Sequence, residues 1–235
     1  MRFIGIDLAW TTKNETGLCV MDGMGTILHL SAEVYSNADI INIIKNYYQH
    51  PTIVAIDAPI VVPNETGSRP AESALARYLI NGHRVRAFHC SRTYLIKHYG
   101  NIRAEEISVT LTKELDFKIG HHPNENSIVE TLPTGIIASL LPSAAPFRYK
   151  LKRGVTINTA QEELKRLMDS FSTYNLAGHI NINTSQKYTR GFHKHLENQV
   201  DAFLCAYMAR AITQSHREPV IFGDYINGFI MIPNT

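Results

Sequence analysis

The chain has 235 residues, of which 44% are apolar and 19% charged, and its formal net charge is +2. That length suits one sizeable core better than two, and the composition excludes a disordered chain. The small charge excludes a polycation that grips nucleic acid over its whole surface, so any pull on a polyanion must come from a local patch. No apolar run reaches the roughly 18 residues of a membrane span, and the N-terminus lacks the layout of a secretion signal. Cys19, Cys90 and Cys205 lie far apart and form no Cys-x-x-Cys pair. They read as reduced thiols of a cytoplasmic protein, with Cys205 a core residue.

In chain order, residues 2–8, 16–21 and 26–35 read as strands. Asp22-Gly23-Met24-Gly25 supplies the tight turn between the second and third. Asn37 offers a helix N-cap, after which Ile40, Ile41, Ile44, Tyr47 and Tyr48 recur at helical spacing. Pro51 closes that helix, and 52–57 is a short apolar run expected of a buried parallel strand. Residues 58–126 are polar and basic and carry two or three helices. A second buried strand is expected at 127–131, leading through Pro133-Thr134-Gly135 into an apolar segment at 136–141. Helices follow over 158–171 and 193–215, and 225–232 alternates like a last edge strand around Asn227-Gly228.

This order predicts an α/β domain spanning 1–235, with a helical, basic insertion over about 60–126. A three-strand antiparallel meander followed by right-handed crossovers gives a mixed sheet flanked by helices. Its parallel strands end together at one edge, where open α/β folds place their chemistry.

Four acids stand in apolar settings. Asp7 follows Phe3-Ile4-Gly5-Ile6, Asp57 follows Ile53-Val54-Ala55-Ile56, Glu130 follows Ile128-Val129, and Asp201 lies within Val200-Asp201-Ala202-Phe203-Leu204. A lone acid at a strand end is commonly a turn former; the joint occurrence carries the functional reading. Half-buried carboxylates sharing one sheet edge need a cation, and oxygen-only ligation suits Mg²⁺ or Mn²⁺. Two such ions can cleave a phosphodiester, with Asp7 bridging both and Asp57, Glu130 and Asp201 completing their shells. Glu197, one helical turn before Asp201, is a candidate fifth ligand.

Together the segments Gly5-Ile6-Asp7-Leu8-Ala9-Trp10, Ile56-Asp57-Ala58-Pro59, Arg69-Pro70-Ala71-Glu72, Glu130-Thr131-Leu132-Pro133-Thr134 and Asp201-Ala202-Phe203-Leu204-Cys205-Ala206-Tyr207 resemble a family catalogued as domain of unknown function 429. The closing Gly228-Phe229-Ile230-Met231-Ile232-Pro233 is similar as well. Members of that family are described as predicted RNase H-like nucleases. The resemblance implies an RNase H-like fold and metal-dependent phosphodiester cleavage, with the nuclease label itself inferred from fold. Leu132 stands where the resemblance leads one to expect an aromatic residue.

From Ser73 to Ala104 there is no acidic residue, while Arg77, Arg84, Arg86, Arg92, Lys97 and Arg103 lie there with Tyr78, Phe88, Tyr94 and Tyr99 interleaved. Basic and aromatic side chains so mixed suit phosphates and bases. Candidate substrate contacts are Arg69, Arg77, Arg84, Arg86, Arg92 and Lys152, with Lys150 and Arg153 extending the basic surface. The spacing of His83, His89 and Cys90 fits no zinc set, and His121, His122, His193 and His195 read as surface residues. The expected partner is nucleic acid, DNA or RNA, and a homodimer is compatible with the sequence. Two rival readings are a non-catalytic nucleic-acid-binding or scaffold domain and an ATP-binding protein of the actin or sugar-kinase type. The latter uses a glycine-rich turn after its first Asp, whereas Leu8-Ala9-Trp10-Thr11-Thr12 follows Asp7.

Overall fold

A computed structural model describes residues 1–180, 188–214 and 218–234. The first half of the chain forms β1 (Arg2–Asp7), β2 (Thr16–Asp22), β3 (Ile27–Glu33), α1 (Asn37–Tyr47), β4 (Thr52–Ile56), α2 (Pro70–Arg77), β5 (Leu79–Ile80), β6 (His83–Arg84), α3 (Arg92–Tyr99) and α4 (Arg103–Leu115). The second half forms β7 (Lys118–Ile119), β8 (Ser127–Glu130), α5 (Pro133–Leu140), α6 (Ile157–Asp169), α7 (Leu176–His179), α8 (Arg190–Gln214), β9 (Val220–Asp224) and β10 (Gly228–Ile232).

Six strands make one mixed sheet in the order β3-β2-β1-β4-β8-β7. β1, β2 and β3 form the expected antiparallel meander, and β4, β8 and β7 continue the sheet in parallel. The parallel register sets Ile6 beside Ile56, and the Asp57 amide donates to the Ile6 carbonyl at 2.8 Å. Asp7 and Asp57 therefore emerge side by side from adjacent strands.

α8 lies directly on β1 and β2. A side chain at Gly5 would collide with the α8 backbone, 2.0 Å from the Ala202 carbonyl oxygen, and one at Gly17 would lie 2.0 Å from the Asn198 oxygen. Glycine at these positions lets the helix approach without a side-chain spacer. Strand alternation gives Gly5 and Asp7 the same face, so the approach that seats Ala202 over Gly5 also brings Asp201 to Asp7.

Several expected boundaries move. The α1 N-cap is Ser36: its Oγ accepts from the Asp39 amide at 3.1 Å, and the Asp39 carboxylate accepts the Ser36 amide at 2.9 Å. The last strand does not join the edge of the main sheet. β10 pairs with β9 in a separate two-stranded sheet, and every residue of β10 is buried. An apolar run such as Phe-Ile-Met-Ile signals burial on both faces, not a half-exposed edge. Within 60–126, α4 buries Ala104, Ile107 and Leu111 in the main core and β7 completes the main sheet. Only α2, the β5–β6 hairpin and α3 stand outside that core. Residues 215–217, at the end of the expected last helix, lie outside the described residues. Among the described residues no helix is long and apolar enough to cross a membrane, and the three cysteines are free and buried.

Candidate metal centre

Carboxylate oxygens of Asp7, Asp57 and Asp201 all lie within 4.8 Å of one another. Among the described residues this is the one group of acids, histidines or cysteines close enough to share an ion. Asp7 and Asp57 are half-buried at the sheet edge, and Asp201 is fully buried. Burial pushes the Asp7 carboxyl well above the usual carboxylate range, and the charges of Asp201 and Asp57 add to the rise. Burial likewise lifts Asp57, to about 6, with Lys150 opposing and Asp201 reinforcing the shift. Without a cation Asp7 and Asp57 resist ionisation.

A segment absent from the expected site supplies its polar contacts. The Tyr149 hydroxyl donates to Asp201 Oδ1 at 2.6 Å, and the Lys150 ammonium lies 2.7 Å from Oδ2. That contact is an ion pair without hydrogen-bond alignment, and Oδ2 accepts no hydrogen bond. Burial alone would lower the Lys150 ammonium, but Asp201, Tyr149, Asp57 and Asp7 together hold it well above its ordinary value. The segment is anchored by His193, whose Nε2 lies 2.6 Å from the Tyr149 carbonyl. A carbonyl only accepts, so Nε2 donates, while Nδ1 lies 2.8 Å from the Tyr188 hydroxyl. His193 is thus a buried positioning residue and not the surface residue expected.

Glu130 is not part of the group. β8 pairs with β4 so that Glu130 stands opposite Ile56, one residue short of Asp57. One step along a strand turns a side chain to the other face. Glu130 therefore points away from α8 and meets Arg69, whose Nη1 and Nη2 donate to its two oxygens at 2.8 and 2.5 Å. Arg69 also reaches Glu72 through Nε at 2.8 Å and the Val61 carbonyl through Nη1 at 2.9 Å, and it is 1% exposed. Its expected contact with substrate is replaced by a buried clamp. Burial works against the Arg69 charge, but Glu130 and Glu72 more than compensate and hold it protonated.

The other candidates separate in space. Glu197 is buried, ion-paired to Lys194 at 2.7 Å and outside the three-carboxylate group, and its Oε2 accepts no hydrogen bond. Arg92 is spent on Glu105, with Nη2 2.7 Å from each carboxylate oxygen. Arg77 is exposed. Arg84, Arg86 and Lys152 line a common cavity of about 530 Å³. A second cavity of about 240 Å³ holds Asp7, Asp57, Trp10, Phe88, Arg69 and Glu130 in its lining.

The family model described as "Protein of unknown function (DUF429)" matches residues 5–223. The chain belongs to this family. The match spans β1 to β9 and so contains every residue of the carboxylate centre. No curated protein and no solved structure matches the chain.

Proposed function

We propose that this DUF429 protein is a metal-dependent nuclease of RNase H-like fold that hydrolyses phosphodiester bonds in nucleic acid. One observation carries the reading: Asp7, Asp57 and Asp201, from β1, the end of β4 and α8, converge within 4.8 Å beside a cavity. The meander-then-parallel strand order and the helix laid across β1 support the fold assignment.

The donor set fits a divalent ion. It is all oxygen, it is recessed, and the crowding of carboxylates that raises Asp7 and Asp57 is what a dication relieves. Asp7, Asp57 and Asp201 would hold the ion as Mg²⁺ or Mn²⁺. Bound there, it would supply Lewis acidity, polarising a phosphoryl oxygen and offsetting the charge that builds on it. The two-ion arrangement expected from sequence counted on Glu130, which serves Arg69 instead. Lys150 stands beside Asp201, so the favoured stoichiometry is one divalent ion plus one fixed ammonium.

The chain's own groups have defined roles in this scheme. Tyr149 orients Asp201 by donating to Oδ1, leaving Oδ2 toward Lys150. Lys150 supplies positive charge to the phosphate where acids alone would repel it. Hydrolysis joins a water oxygen to phosphorus and breaks the ester P–O bond. The water gives up a proton, and the departing oxygen takes one up.

The test is cleavage of end-labelled single-stranded, duplex and hybrid oligonucleotides with Mg²⁺ or Mn²⁺ against EDTA. Wild type should cut only with the divalent ion, and Asp7→Asn should fall to background with its fold intact. Lys150→Met should lose about 10²-fold in rate, the scale of one removed transition-state donor. Cleavage by Asp7→Asn at the wild-type rate would exclude the assignment.

A further inference from the structure

Trp10, the chain's single tryptophan, sits three residues beyond Asp7 and anchors an aromatic group at the carboxylate cavity. It stacks on Tyr99 with ring centres 5.1 Å apart and planes 14° from parallel, and Phe88 meets it at 5.4 Å. Phe88 contacts Tyr94 at 5.6 Å in turn. Phe88 is 49% and Tyr94 39% exposed, so the group leaves much of its apolar surface in water. Rings that served only to fill a core would be covered.

Charge continues the surface in one direction. From residue 84 to 88 exposure alternates: Val85 is buried and Ala87 half-buried, while Arg84, Arg86 and Phe88 face solvent. This alternation sets two guanidinium groups and an aromatic ring on the exposed side of the segment that runs from the end of β6. Arg84 and Arg86 share their cavity with Lys152, and among the described residues none of the three forms an ion pair.

We propose that Trp10 and Phe88 form a subsite for an unpaired nucleobase, and that the strand carrying it runs its phosphates along Arg86, Arg84 and Lys152. A base within a duplex has both faces covered by its neighbours, so only a single strand, loop or end can offer a face to these rings. The cavity that holds the rings also holds Asp7 and Asp57, placing the stacked base next to the phosphate to be cut. An acidic peptide has no comparable fit, because it would bring carboxylates against these acids without a base to stack. The inference rests on the nuclease reading for its substrate class, but its binding test needs no cleavage.

The experiment titrates wild-type protein, in EDTA and again in Ca²⁺, with a dT 12-mer, a U 12-mer, an abasic 12-mer and a blunt 12-base-pair duplex. Trp10 emission reports stacking, and anisotropy of labelled strands reports affinity. Both dT and U strands should quench Trp10 saturably, whereas the abasic strand and the duplex should bind roughly tenfold more weakly without quenching. By anisotropy Phe88→Ala should weaken the dT strand roughly tenfold and Phe88→Tyr should restore it, with far-UV circular dichroism confirming both folds. An abasic strand or duplex that binds as tightly as dT, or an unchanged Phe88→Ala, overturns the subsite. Base-dependent quenching without divalent-dependent cleavage keeps the subsite and defeats the nuclease reading. Cleavage without any base dependence does the reverse.

Discussion

Two groups of buried and half-buried acids stand on opposite faces of the same sheet edge, and their chemistry differs completely. Glu130 and Glu72 share Arg69, which spends its donors on them and on the Val61 carbonyl, while the Ile60 amide adds a further bond to Glu130 at 3.0 Å. Among the described residues, Tyr149 and Lys150 contact only Asp201 of the second group, Lys194 adds a more distant positive charge, and Asp201 Oδ2 accepts no hydrogen bond. A buried charge that is fully partnered holds a fold together, whereas one left short of partners is available to bind something. Neither burial nor acidity alone distinguishes a clamp from a site; here the clamp is neutralised by a bidentate arginine, whereas the three aspartates converge on one another with Asp201 Oδ2 unbonded.

The sharpest way to break the comparison is to empty each group of its cation or its charge. Arg69→Met leaves two carboxylates buried without their cation and should destabilise the protein by about 3–5 kcal/mol, read from urea unfolding. Gly5→Ala attacks the seating of α8 and should cost about 1–3 kcal/mol by overpacking, with loss of divalent binding because Asp201 is displaced. Asp7→Asn should act in the opposite sense, stabilising the metal-free protein by about 0.5–2 kcal/mol through relief of repulsion. A destabilised Asp7→Asn would mean that the three-carboxylate group is structural after all.

The smallest effect is the pH dependence. Asp57 has a folded-state value of about 6 against an ordinary 3.8, and Asp7 is raised as well. Over that interval the folded chain binds more protons than the unfolded chain, so the contribution of these groups is present at low pH and lost as pH rises through the folded values. In EDTA the two aspartates should therefore make the unfolding free energy decline between about pH 4 and pH 6 and beyond. Saturating Mn²⁺ should flatten that decline above pH 6, and Asp57→Asn should reduce it without metal. A decline in EDTA that is the same in wild type and Asp57→Asn would contradict the assignment.

Much of this centre was legible in the amino-acid sequence because a charge in an apolar run is conspicuous. Asp7 and Asp57 end apolar strands, and Asp201 interrupts the apolar side of a helix. Glu130 gave the same signal and belongs to the clamp, since the one-residue difference in register that turns it away arises from strand pairing and not from its neighbours in sequence. Tyr149 gave no signal, and Lys150 read only as part of the basic surface, since a lysine in an irregular loop is ordinarily a solvated charge. Arg69 carried a clue in Glu72, three residues on at the start of α2, the spacing at which an acid folds back on a helix N-terminus. The fold was legible to the same degree: periodicity revealed the meander, β4, β8 and α8. The separate β9–β10 hairpin depends on packing that no local pattern encodes.

Divalent binding tests the central claim most directly. Mn²⁺ titration, followed by calorimetry or electron paramagnetic resonance, should give one ion per chain in wild type and none in Asp7→Asn or Asp201→Asn. Glu130→Gln, if folded, should bind the ion within about twofold of wild type despite its loss of stability, since the ligand set does not include it. Two ions per chain, or a stable Glu130→Gln that no longer binds Mn²⁺, would contradict the division of the sheet edge into a site and a clamp.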